Sequence, residues 1–211
     1  MLTQATRRST SKFIQQVPDS SPRRTLQALA TALQDHDPET YEHSRRVVAF
    51  SLRLARQFCL NRMQIESLAL GALFHDIGKV RVPDAILHKP GKLTEPEWLR
   101  MRNHPLYGLQ ILSGMKFLEG ASRVVVQHHE KWDGSGYPWG LGGKEIDRNA
   151  RIFAVADAFD AMTSDRVYRA GSSYEEAAAE LTRAAGTHFD PNVVEAFGSI
   201  PRQEWCRDRP R

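Results

Sequence analysis

Apolar and polar positions along this chain recur at helical spacing over most of its length, with few of the alternating β-branched runs that mark strands. Asp37-Pro38-Glu39 is a helix start: an N-cap aspartate, a proline at the first helical position, then an acid in the first turn. Tyr41, Ser44, Val48, Ser51, Leu52, Ala55 and Phe58 continue it as a stripe of 3.6-residue period. Asn61 caps the next helix, with Ile65, Leu68, Ala69 and Ala72 on one face, and Gly78 is expected to end it just past His75-Asp76. A capping box at Thr94-Glu95-Pro96-Glu97 opens a helix over 98–103, and another follows His104-Pro105 to about Gly114. Residues 119–131 read as helix despite Val124-Val125-Val126, because the stretch is long and lacks turn residues. Further helices are expected over 22–32, 149–165, 173–185 (a second capping box, Ser173 and Glu176) and after Asp190-Pro191. Residues 133–143 hold five of the fourteen glycines and must be a loop. There are no internal repeats, and the class is all-α, a helical bundle.

Composition adds boundaries. A chain of 211 residues fits one domain, with residues 1–22 as a flexible basic leader, 23–200 as the domain and 201–211 as a basic C-terminal tail. No apolar run is long enough to cross a bilayer, and the first thirteen residues carry no signal-peptide core, so a cytoplasmic protein without membrane insertion is expected. Cys59 and Cys206 have no paired spacing, which argues for a reducing compartment and against a thiolate zinc site. The formal charge of +4 comes with no recognition-helix pattern or interleaved aromatics, so DNA is not an expected partner and a small anionic substrate is.

The chemistry sits in the histidines. His75-Asp76 closes an apolar turn, at a helix C-terminus where the macrodipole disfavours an ionised carboxylate unless something positive offsets it. Alone, the doublet reads as a buried hydrogen-bonded pair. It is accompanied, however, by His43 mid-helix, His104 before a proline, His128-His129 at a helix end, and Asp157 inside an apolar run where an unpaired carboxylate is costly to bury. Imidazole and carboxylate together suit Fe, Mn, Zn, Ni or Co better than Ca or Mg. One of His128 and His129 could instead face solvent at the helix end. Glu39 lies one turn before His43 on the same face, as an eighth ligand or simply as an acid favoured at a helix N-terminus. His36, His88 and His188 fall outside the pattern.

The ordered set resembles a known family. His75-Asp76-Ile77-Gly78-Lys79 resembles the HD motif of the HD superfamily of metal-dependent phosphohydrolases, and His128-His129-Glu130-Lys131-Trp132-Asp133-Gly134-Ser135-Gly136-Tyr137-Pro138 resembles the HD-GYP signature. The segments around His43-Ser44-Arg45-Arg46-Val47, Asn103-His104-Pro105 and residues 156–166 match as well, so the likeness spans about residues 25–200. It implies a bundle around a bi- or trinuclear centre of iron or manganese, with zinc, nickel or cobalt as further options. The implied activity is a bacterial phosphodiesterase that hydrolyses cyclic di-GMP to pGpG and, in some members, onward to GMP. By the same resemblance His43, His75, Asp76, His104, His128, His129 and Asp157 are metal ligands, Asp76 is the bridge and catalytic, and Glu39 belongs to trinuclear members. Lys79, Arg166 and Arg169 would contact phosphate, and Gly136-Tyr137-Pro138 would border the substrate.

Two enzyme readings and one non-enzyme reading stay open: a phosphodiesterase of cyclic di-GMP, a phosphohydrolase of another nucleotide, and a non-catalytic cyclic di-GMP receptor or docking module. Trp132, Tyr137 and Trp139 could stack on guanine, receive a signalling protein, or simply pack the loop onto the bundle. Arg166 and Arg169 could equally serve surface ion pairs with Asp165. With no receiver, sensory or membrane segment in it, the chain, if complete, reads as a stand-alone effector.

Overall fold

A computed structural model describes residues 21–165 and 170–206. The elements are α1 (Ser21–His36), α2 (Pro38–Ala55), α3 (Arg62–Phe74), a 3-10 segment (Ile77–Arg81), α4 (Asp84–Leu87), α5 (Glu95–Met101), α6 (His104–Leu112), α7 (Glu119–Gln127), α8 (Arg148–Thr163), α9 (Tyr174–Arg183), α10 (Pro191–Ser199) and α11 (Arg202–Cys206). Short 3-10 turns precede α7 and α8, and the described residues form no strand, only two isolated bridges. The all-α expectation holds.

Local chemistry sets the starts. Asp37 accepts the Thr40 N–H at 3.0 Å and the Thr40 hydroxyl at 2.6 Å, which fixes the first turn of α2. Asn61 and Gln64 close a reciprocal capping box on α3, as Thr94 and Glu97 do on α5 and Ser173 and Glu176 on α9. The central helix is α3. Every residue from Leu68 to Phe74 is buried, because α2 and α7 pack against it and α8 closes a further side. A helix apolar on all sides belongs in the middle of a bundle, so the His75-Asp76 doublet at its tip is delivered to the interior.

Several helix ends shift by a few residues from the sequence reading, and three of the differences have a clear physical cause. The first helix runs on to His36, because Leu26, Ala30 and Leu33 bury one face. The helix expected over 119–131 stops at Gln127; Glu130 N–H then donates to the Gln127 carbonyl at 2.9 Å, and this tight turn swings His128 and His129 inward. Gly78 caps no helix: α3 ends at Phe74, and Gly78 lies within the 3-10 segment, crossing α6 so closely that a Cβ there would overlap the His104 carbonyl and lie 2.5 Å from Gly108 N.

At the other end, residues assigned by composition to a basic tail include α11, whose Trp205 is fully buried. Its indole packs 4.4 Å from Phe197 and 5.2 Å from Phe159, ring centroid to centroid, and Phe50 completes this aromatic corner of the core.

Candidate metal centre

Five helices bring all seven sequence-expected ligands to one place. His43 comes from α2, His75 and Asp76 from the end of α3, His104 from the start of α6, His128 and His129 from the end of α7, and Asp157 from α8. They form two groups, His43–His75–Asp157 and His104–His128–His129, each with ligand atoms within 4.8 Å of one another. Asp76 stands between the groups. Its Oδ2 lies 3.1 Å from His75 Nε2 and its Oδ1 3.2 Å from His104 Nε2. One carboxylate thus turns one oxygen toward each group.

Hydrogen bonding decides which ring nitrogen is free. His75 Nδ1 meets the Ala72 carbonyl at 2.9 Å, His104 Nδ1 the Met101 carbonyl at 2.8 Å, and His128 Nδ1 the Val125 carbonyl at 2.7 Å. A carbonyl only accepts, so each of these Nδ1 atoms carries the proton, and in the neutral ring Nε2 is a bare lone pair. His104 and His128 then aim two such lone pairs at each other across 3.1 Å, and His75 aims one at a carboxylate oxygen. Acceptor against acceptor at these distances is repulsive unless a cation lies between. The donor set fits divalent first-row metals.

The charge states divide the same way. Burial, helped by the neighbouring His129 and His104 rings, pushes His128 well below the usual imidazole range. Burial and His104 bring His129 down to about 3. His128 and His129 are held neutral, ready to coordinate. His43 goes the other way: burial opposes its charge, but Asp157 and Asp160 outweigh it and raise its pKa to about 10. A proton there occupies the place of a cation, with Asp157 Oδ1 at 3.0 Å from His43 Nε2. Asp76 is buried as well, yet Lys79, His75 and His104 hold its carboxyl well below the ordinary range. Lys79 Nζ, 2.7 Å from Asp76 Oδ2, is the positive partner that the helix C-terminus demands.

A cavity of about 270 Å³ opens beside the first group, lined among others by Asp37, Glu39, His43, Asp76, Lys79 and Asp160. Glu39 is exposed at its mouth and belongs to neither converging group. Lys79 faces the cavity while bonded to Asp76. Gly136, Tyr137 and Pro138 do not line it; the Tyr137 ring is stacked on His129 instead, at 4.6 Å and 24°. Arg166 and Arg169 lie outside the described residues. A larger groove of about 470 Å³, where the N-terminal ends of α3, α7 and α8 meet, shares none of the expected ligands.

Four supporting residues went unassigned in the sequence. Asp160, 1% exposed, takes His43 Nδ1 at 2.7 Å and Arg46 Nε at 2.8 Å. The signal for this pair was spacing: Asp160 follows Asp157, and Arg46 follows His43, by one helical turn. Glu130, 2% exposed, accepts the Trp139 and Leu141 N–H groups at 2.8 and 3.0 Å and so ties down the loop. Arg102 lays its guanidinium 4.4 Å from the Tyr137 ring centroid, and nothing local in the sequence marks it.

The sequence over residues 27–193 matches the family described as HD domain. The chain belongs to this family, in its HD-GYP branch. It is 40% identical to the cyclic di-GMP phosphodiesterase response regulator RpfG of Xanthomonas campestris, over 83% of this chain and 47% of that protein. It is 41% identical to 3'3'-cGAMP-specific phosphodiesterase 2 of Vibrio cholerae, over 79% of this chain and 32% of the relative. The HD-GYP chain thus spans less than half the length of these curated relatives. Its fold is also that of a crystallised cyclic GMP-AMP specific phosphodiesterase of V. cholerae, with a TM-score of 0.65 at 19% identity over 88% of this chain and 50% of that one. The HDG"Y"P protein Bd1817 of Bdellovibrio bacteriovorus gives 0.64 at 23% identity, over 90% and 60%. No helix among the described residues is long and apolar enough to cross a membrane.

Proposed function

We propose that this chain is a metal-dependent phosphodiesterase of cyclic dinucleotides that hydrolyses cyclic di-GMP to pGpG and onward to GMP. The single observation that carries the reading is Asp76, with one oxygen toward each of two histidine groups. In this reading His43, His75 and Asp157 would hold one ion, His104, His128 and His129 a second, and Asp76 would offer one oxygen to each. When bound, such cations would acidify the attacking water and offset charge on phosphoryl oxygens. Iron or manganese is the expected metal, with zinc, nickel or cobalt also compatible with the donors.

The chain's own residues have defined tasks. Lys79 holds Asp76 ionised and, at the cavity wall, offers a point charge to a non-bridging phosphate oxygen. Arg46 spends its guanidinium on Asp160 and keeps His43 oriented. Arg166 and Arg169 are proposed as phosphate contacts on the family resemblance. No side chain serves as a covalent nucleophile: water oxygen bonds to phosphorus, the bond to the 3'-oxygen breaks, and that oxygen leaves with a proton. Glu39, at the cavity mouth, is proposed as the conditional ligand of a third ion, and the exposed Trp139 as a contact for a signalling protein.

A specific finding supports a second substrate. The relatives near 40% identity include phosphodiesterases named for 3'3'-cGAMP as well as for cyclic di-GMP. The test is anaerobic Fe(II)- or Mn(II)-loaded protein incubated with each dinucleotide and followed by chromatography. Turnover of cyclic di-GMP to pGpG or GMP is expected; turnover of 3'3'-cGAMP alone would reassign the substrate, and hydrolysis of neither would overturn the enzyme reading.

A further inference from the structure

His129 is held unlike the other four histidines. Their Nδ1 atoms are each fixed by a hydrogen bond, three to main-chain carbonyls and one to Asp160. No ring hydrogen bond fixes His129 among the described residues. Its imidazole lies instead against the Tyr137 ring at 4.6 Å and 24°, and the Arg102 guanidinium also lies over that ring, 4.4 Å from its centroid. The result is a run of ring contacts joining the turn after α7, the glycine-rich loop and the α5–α6 junction.

The loop is tied to the same point. Tyr137 N–H donates to the His129 carbonyl at 3.1 Å. Gly136 rides so close over the His129–Lys131 backbone that a Cβ would come within 2.6 Å of the His129 carbonyl oxygen and 2.5 Å of Glu130 Cα. Glu130 takes the next two free N–H groups, at Trp139 and Leu141. The Gly-Tyr-Pro segment is therefore built against a metal-ligand candidate, whereas among the described residues no hydrogen bond or ring contact joins it to His43, His75 or Asp157.

We propose that Tyr137, backed by Arg102, is a positioning residue for His129, so that the loop governs retention of the ion at His104–His128–His129 while the His43–His75–Asp157 position is independent of it. The stack does for His129 what a carbonyl does for its neighbours: it fixes ring orientation, with a cation–π contact bracing the Tyr137 ring. This rests on the metal-dependent reading above.

The test uses the whole chain loaded with Mn(II) and equilibrated against a graded series of a weak chelator, with ions per chain measured by elemental analysis and the spin state by electron paramagnetic resonance. Wild type is expected to hold two ions with a coupled-pair spectrum, and Tyr137→Phe, which keeps the ring, to behave alike. Tyr137→Leu and Arg102→Ala are expected to bind one ion about tenfold more weakly, passing through a one-ion form with an isolated Mn(II) signal, while the other ion keeps its affinity. Retention of both ions at wild-type affinity in these variants, or loss of both together, overturns the proposal. Arg102 is exposed, so its truncation leaves no core void and keeps the test decisive should Tyr137→Leu not fold. A wild-type chain that binds no ion overturns the functional reading itself, and this inference with it.

Discussion

Asp160 Oδ2 lies 2.7 Å from His43 Nδ1, across 117 residues of sequence, and the same carboxylate grips Arg46 through both of its oxygens. This carboxylate–imidazole pair fixes the ring so that Nε2 faces Asp157, and it makes His43 a stronger donor.

Asp160→Asn is therefore expected to weaken one ion by roughly 10- to 100-fold, with little effect on the other. It should also change proton release. His43, raised to about 10, is protonated at pH 7.5 and must lose its proton to coordinate, whereas His129, at about 3, has none to lose. Calorimetric titration in buffers of differing ionisation enthalpy is expected to show a proton released in the wild type and less in Asp160→Asn.

The metal-free protein is expected to have a bell-shaped dependence of Tm on pH. His128 and His129 have folded pKa values below the unfolded value of about 6.5, so the unfolded chain binds more protons and stability falls as pH drops from about 6.5 toward 3. His43 is raised, so its contribution is complete below about 6.5 and is lost as pH climbs through about 10. Thermal scans across this range check it: His129→Gln should flatten the acid limb and His43→Gln the alkaline limb.

The candidate ligands were legible in the sequence because each stands on, or just past the end of, a helix whose periodicity is local: His43 four residues after Glu39, the doublet at the end of an apolar run, His128-His129 after the valines. What supports them was not. Arg102 finds Tyr137 and Trp205 finds Phe50 only when distant segments pack, and no local period encodes those meetings; Asp160 and Arg46 each stand one turn from a candidate ligand, but that spacing does not show that they pair with each other across 114 residues. Gly78 shows the opposite failure. Its identity was noticed and its reason mistaken, because a glycine past a helix looks the same whether it supplies a left-handed turn or, as here, room for a crossing chain.

Gly78→Ala is accordingly expected to do more than a typical overpacking change. The added methyl meets main chain on α6, which cannot rotate away, so about 3 kcal/mol and a Tm drop of roughly 6–12 °C are expected. Because the clash is at the His104 carbonyl, ion content should fall as well; thermal denaturation and elemental analysis read both.

Trp205→Ala empties a fully buried indole site against Phe50, Phe159 and Phe197 and is expected to cost about 3–5 kcal/mol. Denaturant titration of the loaded protein measures it. Any variant ended at residue 200 should show the same loss, since α11 supplies the indole.

Three of the five imidazoles take their orientation from a carbonyl three residues earlier, at the last turn of α3, the last turn of α7 and the junction before α6. Ring direction at the centre is thus a readout of whether those helix ends are wound. Helix termini are the first part of a bundle to fray, and they do so at far lower cost than the fold as a whole. At α3 and α7 that last turn is buried core, so the α5–α6 junction, where Arg102 is exposed, is the place where a partner could unwind a turn and misalign a candidate donor at least cost.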